Sequence, residues 1–175
     1  MEIEERTIKI KTPNIVKDKI CLYDSYGQGE SHLNKRFQRY VNFPHFTVYK
    51  DGRVQQHLEY SDSPSFIGSS IIGVALESLG ELYEVNTQFY NVFNTIYVGT
   101  PLNKEWRGRY YFDPYTEVQI TTTKILCNKI ASDLGINTDF APNSFHTDVS
   151  QYGIIFRSNL DKMHLDINPS FFKFN

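Results

Sequence analysis

Only two cysteines, Cys21 and Cys127, occur among the 175 residues. Both stand among apolar neighbours and read as buried free thiols; neither a disulfide framework nor a CxxC metal knuckle can be built from them. No apolar run approaches the roughly 18 residues that a membrane-spanning helix needs. Net charge is nearly absent: 18 basic against 20 acidic residues leave −2, which argues against sequence-independent nucleic-acid binding. There is no internal repeat, no low-complexity stretch, no linker that would split the chain, no GxxxxGK[ST] phosphate loop, and no supported Ser-His-Asp or Cys-His arrangement. The opening MEIEERTIKIK is acidic and alternating, unlike a signal peptide with its basic start and apolar centre. The expectation is a chain made in the cytoplasm that stays there unless it leaves by lysis or inside an assembled particle.

What is present describes one globular domain, residues 1–175: 40% apolar, 22% charged, and long enough to bury a core without disulfides or a structural metal. Aromatics are plentiful, with 12 Tyr and 13 Phe; they serve cores and flat binding surfaces alike. Ile15–Leu22 reads as a buried strand. Ser31 can cap a short helix with Leu33, Phe37, Tyr40 and Val41 as its apolar stripe. Phe46–Tyr49 and Val54–Leu58, joined by Asp51-Gly52, form a hairpin, and Ile71–Leu76 is apolar throughout, as mid-sheet strands are. From Gly80 to Tyr115 the pattern is irregular, an aromatic excursion with at most a short hairpin. Thr116 and Gln119 make a capping box that opens the longest helix, with Ile120, Leu126, Cys127, Ile130 and Leu134 inward and Gly135 as its stop. A short strand follows near Gly153–Phe156. The fold class is α/β, a mixed central β-sheet flanked by helices.

Several segments then occur in a telling order: Tyr49-Lys50-Asp51-Gly52, Ile72-Gly73-Val74-Ala75-Leu76, Trp106-Arg107-Gly108 running to Pro114-Tyr115-Thr116-Glu117-Val118-Gln119, Phe145-His146-Thr147-Asp148-Val149, and Asn168-Pro169-Ser170-Phe171. Together they resemble the zinc-dependent N-acetylmuramoyl-L-alanine amidases, the group of phage lysozyme-type amidases and peptidoglycan recognition proteins, over about residues 15–172. That resemblance implies a zinc held by three side chains with one open position, where the metal acidifies a water and polarises the scissile amide.

Carried over position by position, the resemblance places the first zinc ligand at Tyr23, the second at His146 and the third at Asn168. A neutral phenol and an amide oxygen are poor zinc donors, so His146 is the surviving ligand position. The helper positions fall on Pro44, where a Tyr would precede His45, on Ala75, where some members carry Glu, and on Asp166, where a Lys would stabilise the oxyanion. A rebuilt site could draw on Asp24 with His146 and Asp166, Asp148 lying nearby, although a one-residue shift along a strand sends a side chain to the other face. His45 reads as a packing or hydrogen-bonding residue, His32 as part of a solvated helix face, and His57 as exposed.

The reading is a degenerate amidase domain that binds rather than cuts, with no cofactor expected and with peptidoglycan fragments or protein partners in an assembly as its ligands. The alternative is an active amidase with a rebuilt zinc site. A third reading, by analogy of fold, is an architectural part of a phage tail or baseplate. Near-zero net charge and rich aromatic content favour protein contacts over a basic wall-binding surface. Phe89, Tyr90, Phe93 and Tyr97, in excess of what one loop can bury, are the candidate interface residues.

Overall fold

The computed structural model describes residues 3–5, 15–40, 43–64, 67–142, 147–161 and 167. In chain order the elements are β1 (Ile3–Glu5), β2 (Lys19–Asp24), α1 (Glu30–Tyr40), β3 (Phe46–Val48), β4 (Val54–Gln56), β5 (Ile71–Leu76), β6 (Glu81–Val85), β7 (Gln88–Asn91), β8 (Leu102–Trp106), β9 (Arg109–Phe112), α2 (Glu117–Leu134), a 3₁₀ turn at Val149–Gln151, β10 (Ile154–Phe156) and α3 (Arg157–Leu160).

The apolar run Ile71–Leu76 is buried at every position, and the main sheet is assembled around it in the order β1-β4-β3-β5-β2-β10. Strands β3, β5, β2 and β10 run parallel, and β4 turns back against β3 through the Asp51-Gly52 turn, where Gly52 takes φ +86°. The sheet needs cover on both faces. Helix α2 covers one, where Leu126, Cys127, Ile130 and Ala131 meet Ile20, Leu22, Ile72, Val74 and Ile154. Helix α1 covers the other, laying Leu33 and Phe37 over Cys21, Tyr23, Ala75 and Ile155. Each fully buried Leu or Ile contributes roughly 1.5–3 kcal/mol to this arrangement. Both cysteines are buried free thiols, and burial pushes the Cys127 thiol up to about 12.

Helix α2 starts and stops where its sequence says. The Thr116 hydroxyl accepts from the Gln119 N–H at 3.1 Å, and Gly135 ends the helix at φ +68°. The reciprocal half of the capping box is absent, because the Gln119 amide donates to the Val48 and Glu77 carbonyls at the top of the sheet (2.9 and 3.0 Å). Thr116→Ala should therefore lower stability by about 1 kcal/mol in urea unfolding; an unchanged midpoint would mean that water replaces the cap. Helix α1 begins at Glu30, which puts Ser31 inside its first turn rather than at the cap.

Two further expectations fail. Residues 80–115 are a four-stranded antiparallel sheet, order β7-β6-β9-β8, in place of an irregular excursion. His57, read as exposed, is 2% exposed. The strand ends at Gln56, and the His57 ring falls between Phe37 and Phe43 (centroids 5.5 and 6.0 Å) with a ring nitrogen 2.9 Å from the Thr47 hydroxyl.

Candidate functional site

Parallel register sets Tyr23, Ala75 and Thr47 level across β2, β5 and β3. Tyr23 and Ala75 share the α1 side of the sheet, so two of the positions singled out from the sequence come together. Tyr23 is 3% exposed. Its ring lies beside the bare backbone of Gly73: a Cβ there would stand 3.4 Å from the Tyr23 hydroxyl and 2.7 Å from Ile67 Cδ1. The Arg157 guanidinium approaches the same ring at 5.9 Å. At the first-ligand position this chain thus has a phenol packed among Ile67, Ala75 and Phe43.

Asp24 points the other way. It is buried on the α2 side, where the Tyr115 hydroxyl donates to its Oδ1. Asp148 is exposed; its Oδ1 accepts from the Ser150 N–H at 3.0 Å, and that bond holds its carboxyl below the usual range. Pro44 is buried just ahead of β3. His146, Asn168 and Asp166 lie outside the described residues. Helix α1 and the loop bearing Ile67 close the face around Tyr23, and among the described residues no group of three His, Cys, Asp or Glu side chains could hold a metal ion. Of the three ligand positions Tyr23 alone lies among the described residues, and a buried phenol does not fit zinc; the adjacent carboxylate, Asp24, is on the other face.

Of the polar groups that order this region, sequence reasoning placed His45 as a packing or hydrogen-bonding residue and missed Lys17, Glu77 and Asp113. His45, fully buried, accepts from the Gly73 N–H at Nδ1 (3.0 Å) and donates from Nε2 to the Asp62 carbonyl (3.2 Å). Burial, followed by the nearby Lys17 charge, pulls its pKa down to about 3, so the ring is neutral; Lys17 donates to the same Asp62 carbonyl and to that of Ser69. At the carboxyl ends of the parallel strands, where α/β sheets place ligands, two buried acids are already occupied. Glu77 accepts from the Gly29 and Lys50 N–H groups at 2.6 and 2.8 Å. Asp113 accepts from the Leu79 N–H (2.8 Å), from Gln28 Nε2 (3.1 Å) and from Lys50 Nζ. Chain-internal donors take the oxygens of both: Asp113, just past β9, fastens the inserted sheet to the main one, while Glu77 ties the end of β5 to the start of α1 and the end of β3.

Of the four interface candidates, Phe93 is 55% exposed and Phe89, Tyr90 and Tyr97 are half-buried. Phe89 packs on Tyr111 at 4.9 Å, Tyr90 stacks on Tyr83 at 5.8 Å, and Phe93 meets Tyr26 edge-on with the Arg36 guanidinium over its ring. Burial, with Asp113 adding to it, pushes the Tyr97 hydroxyl up to about 12.

This sheet, covered by one helix on each side and extended by an inserted antiparallel sheet, is the fold of the N-acetylmuramoyl-L-alanine amidases. Three solved structures carry the likeness. The amidase LysC from Clostridium intestinale URNW superposes with a TM-score of 0.55 at 14% identity, over 93% of this chain and 86% of that one. The endolysin amidase LysCS from the same organism gives 0.54 at 13%, over 92% and 84%. AmiD from E. coli, seen in complex with the substrate anhydro-N-acetylmuramic acid-L-Ala-D-gamma-Glu-L-Lys, gives 0.53 at 12%, over 86% of this chain and 52% of AmiD. No protein-family model matches the chain, and no curated protein sequence does.

Proposed function

We propose that this chain is an amidase-fold domain that binds peptidoglycan fragments or a protein neighbour without cutting them. The observation behind this reading is the packing of Tyr23: a buried phenol occupies the first-ligand position, with Ala75 level beside it on the same face. Hydrolysis of an unactivated amide needs a polarised carbonyl and an activated water, and no charged side chain at these positions supplies either. Asp24, the natural substitute, is turned to the opposite face and held by Tyr115, which weighs against a rebuilt metal site. The substrate complex of the structurally similar AmiD motivates muropeptides as the ligand class. A place in a phage tail or baseplate is the same reading set in a larger particle, with the domain holding wall or neighbour while another component cuts.

The test is elemental analysis of the purified chain together with its action on cell-wall fragments. Well under one zinc per chain and no release of L-alanyl peptides are the expected results. Near-stoichiometric zinc that is lost in His146→Ala, with cleavage abolished by a chelator, would falsify the reading. Titration of a soluble muropeptide into the intact chain then separates binding from a purely architectural role.

A further inference from the structure

The tip of the β8–β9 hairpin departs from regular strand and turn chemistry in two ways. Asn103 pairs with Tyr111 and Trp106 with Arg109, so β8 advances from 103 to 106 while β9 advances only from 109 to 111. The extra residue on β8 is a bulge, and a bulge re-aims the side chains beyond it; here the side chain beyond it is that of Trp106. The turn that follows is Arg107-Gly108, at φ +50° and +77°. Positive φ at both central positions favours Asn, Asp or Gly at the first of them, and a long side chain such as arginine is uncommon there. A Cβ on Gly108 would meet no atom, so the tip opens to solvent.

Trp106 and Arg107 are both half-buried, and the Arg107 guanidinium lies over the indole with its Cζ 4.9 Å from the ring centroid. Trp106 Nε1 and Arg107 Nη2 are shielded from water, yet neither has a hydrogen-bond partner. Indole and guanidinium N–H groups can only donate, and folded proteins pair nearly all shielded donors. Two such donors side by side therefore call for an acceptor from outside the chain. The charge is uncompensated as well. Arg109, across the turn, has Glu81 at 3.0 Å, whereas among the described residues no carboxylate pairs with Arg107. Burial holds the Arg107 pKa below the ordinary arginine value, as expected for a cation without a counter-charge.

We propose that this tip is an oxyanion site that takes a carboxylate group of a ligand, whose oxygens accept from Arg107 Nη2 and Trp106 Nε1. The inference is independent of the muropeptide reading. The donors select the occupant. A site with donors alone takes an acceptor, and one unpaired guanidinium matches a single negative charge. The indole holds the guanidinium plane in place, which suits a planar group with two oxygens. A phosphate dianion would bring a second charge with no counter-charge into a shielded position. A phosphodiester has the right charge but carries two ester substituents into a place already closed to water.

Trp106 is the only tryptophan of the chain, so tryptophan emission reports on this site alone. Titration of the intact chain with sodium acetate, exchanged against sodium chloride at constant ionic strength, should change that emission saturably. Acetamide, neutral and of the same shape, should leave it unchanged, and so should dimethyl phosphate. Arg107→Gln should weaken the acetate response at least about tenfold. Arg107→Asn should abolish it while keeping the melting temperature at or above the wild-type value, because Asn suits the positive φ of the turn. An unsaturable response, a response that both variants retain, or one as strong with dimethyl phosphate as with acetate overturns the proposal. A lower melting temperature in Arg107→Asn would show that the side chain serves the fold, and overturns it too. With acetate as the probe, the result does not depend on whether the chain binds muropeptides.

Discussion

Asp113→Ala should cost about 3 kcal/mol and loosen the inserted sheet selectively. Asp113 has no exposed side-chain surface, and it takes the buried Leu79 N–H, Gln28 and Lys50 together. Removing the carboxylate leaves a shielded backbone donor without an acceptor and a lysine without its counter-charge. Each such loss costs on the order of 1–3 kcal/mol, discounted here because part of the Lys50 side chain reaches water. Asp113→Asn keeps an acceptor for Leu79 and should lie between the two. Native-state hydrogen exchange distinguishes local from global effects: amides of β6–β9 should lose protection while β2 and β5 keep theirs. Uniform loss along the chain would show that the carboxylate supports the whole core rather than this junction.

Acidification should unfold the protein through His45. Its native pKa of about 3 lies well below the unfolded value near 6.5, so the unfolded chain takes up a proton first. Stability is therefore fully present above pH 6.5 and falls as pH drops towards 3, at up to about 1.4 kcal/mol per unit. Between pH 7 and pH 4 the loss from this residue should be about 3 kcal/mol by urea unfolding. In His45→Gln that part of the pH slope should vanish, although the variant starts less stable because the Gly73 and Asp62 partners are disturbed. Equal slopes in both proteins would sink the assignment.

Much of the main sheet was legible because its signals are local or periodic. Ile71–Leu76 could only be a strand buried on both faces, and Thr116 and Gly135 mark the ends of α2 through hydrogen bonding and positive φ. The split between Tyr23 and Asp24 followed from strand alternation alone. The inserted sheet was hidden by its construction: with aromatics on both faces, Phe89 and Tyr111 inward, Tyr83 and Tyr90 outward, no apolar–polar alternation survives. Its turns add to the disguise, using Asn86-Thr87 and Arg107-Gly108 at positive φ where Asn-Gly would have announced a hairpin. His57 was misplaced because its burial depends on Phe37 and Phe43, which a local pattern does not contain. The polar fastenings of Glu77 and Asp113 join segments far apart in the chain and left no sequence trace.

The outer neighbour of β2 arrives late. Ile20 pairs with Ile154 and Leu22 with Phe156, partners that leave the ribosome on the order of ten seconds after β2 at ordinary elongation rates. Until then β2 exposes one bare ladder edge made of Ile20, Cys21 and Leu22, a short, uncharged stretch suited to pairing with another nascent chain. Closing so distant a contact is slow. The yield of folded protein should therefore depend on translation speed, temperature and chaperone supply more than the completed fold's stability would indicate.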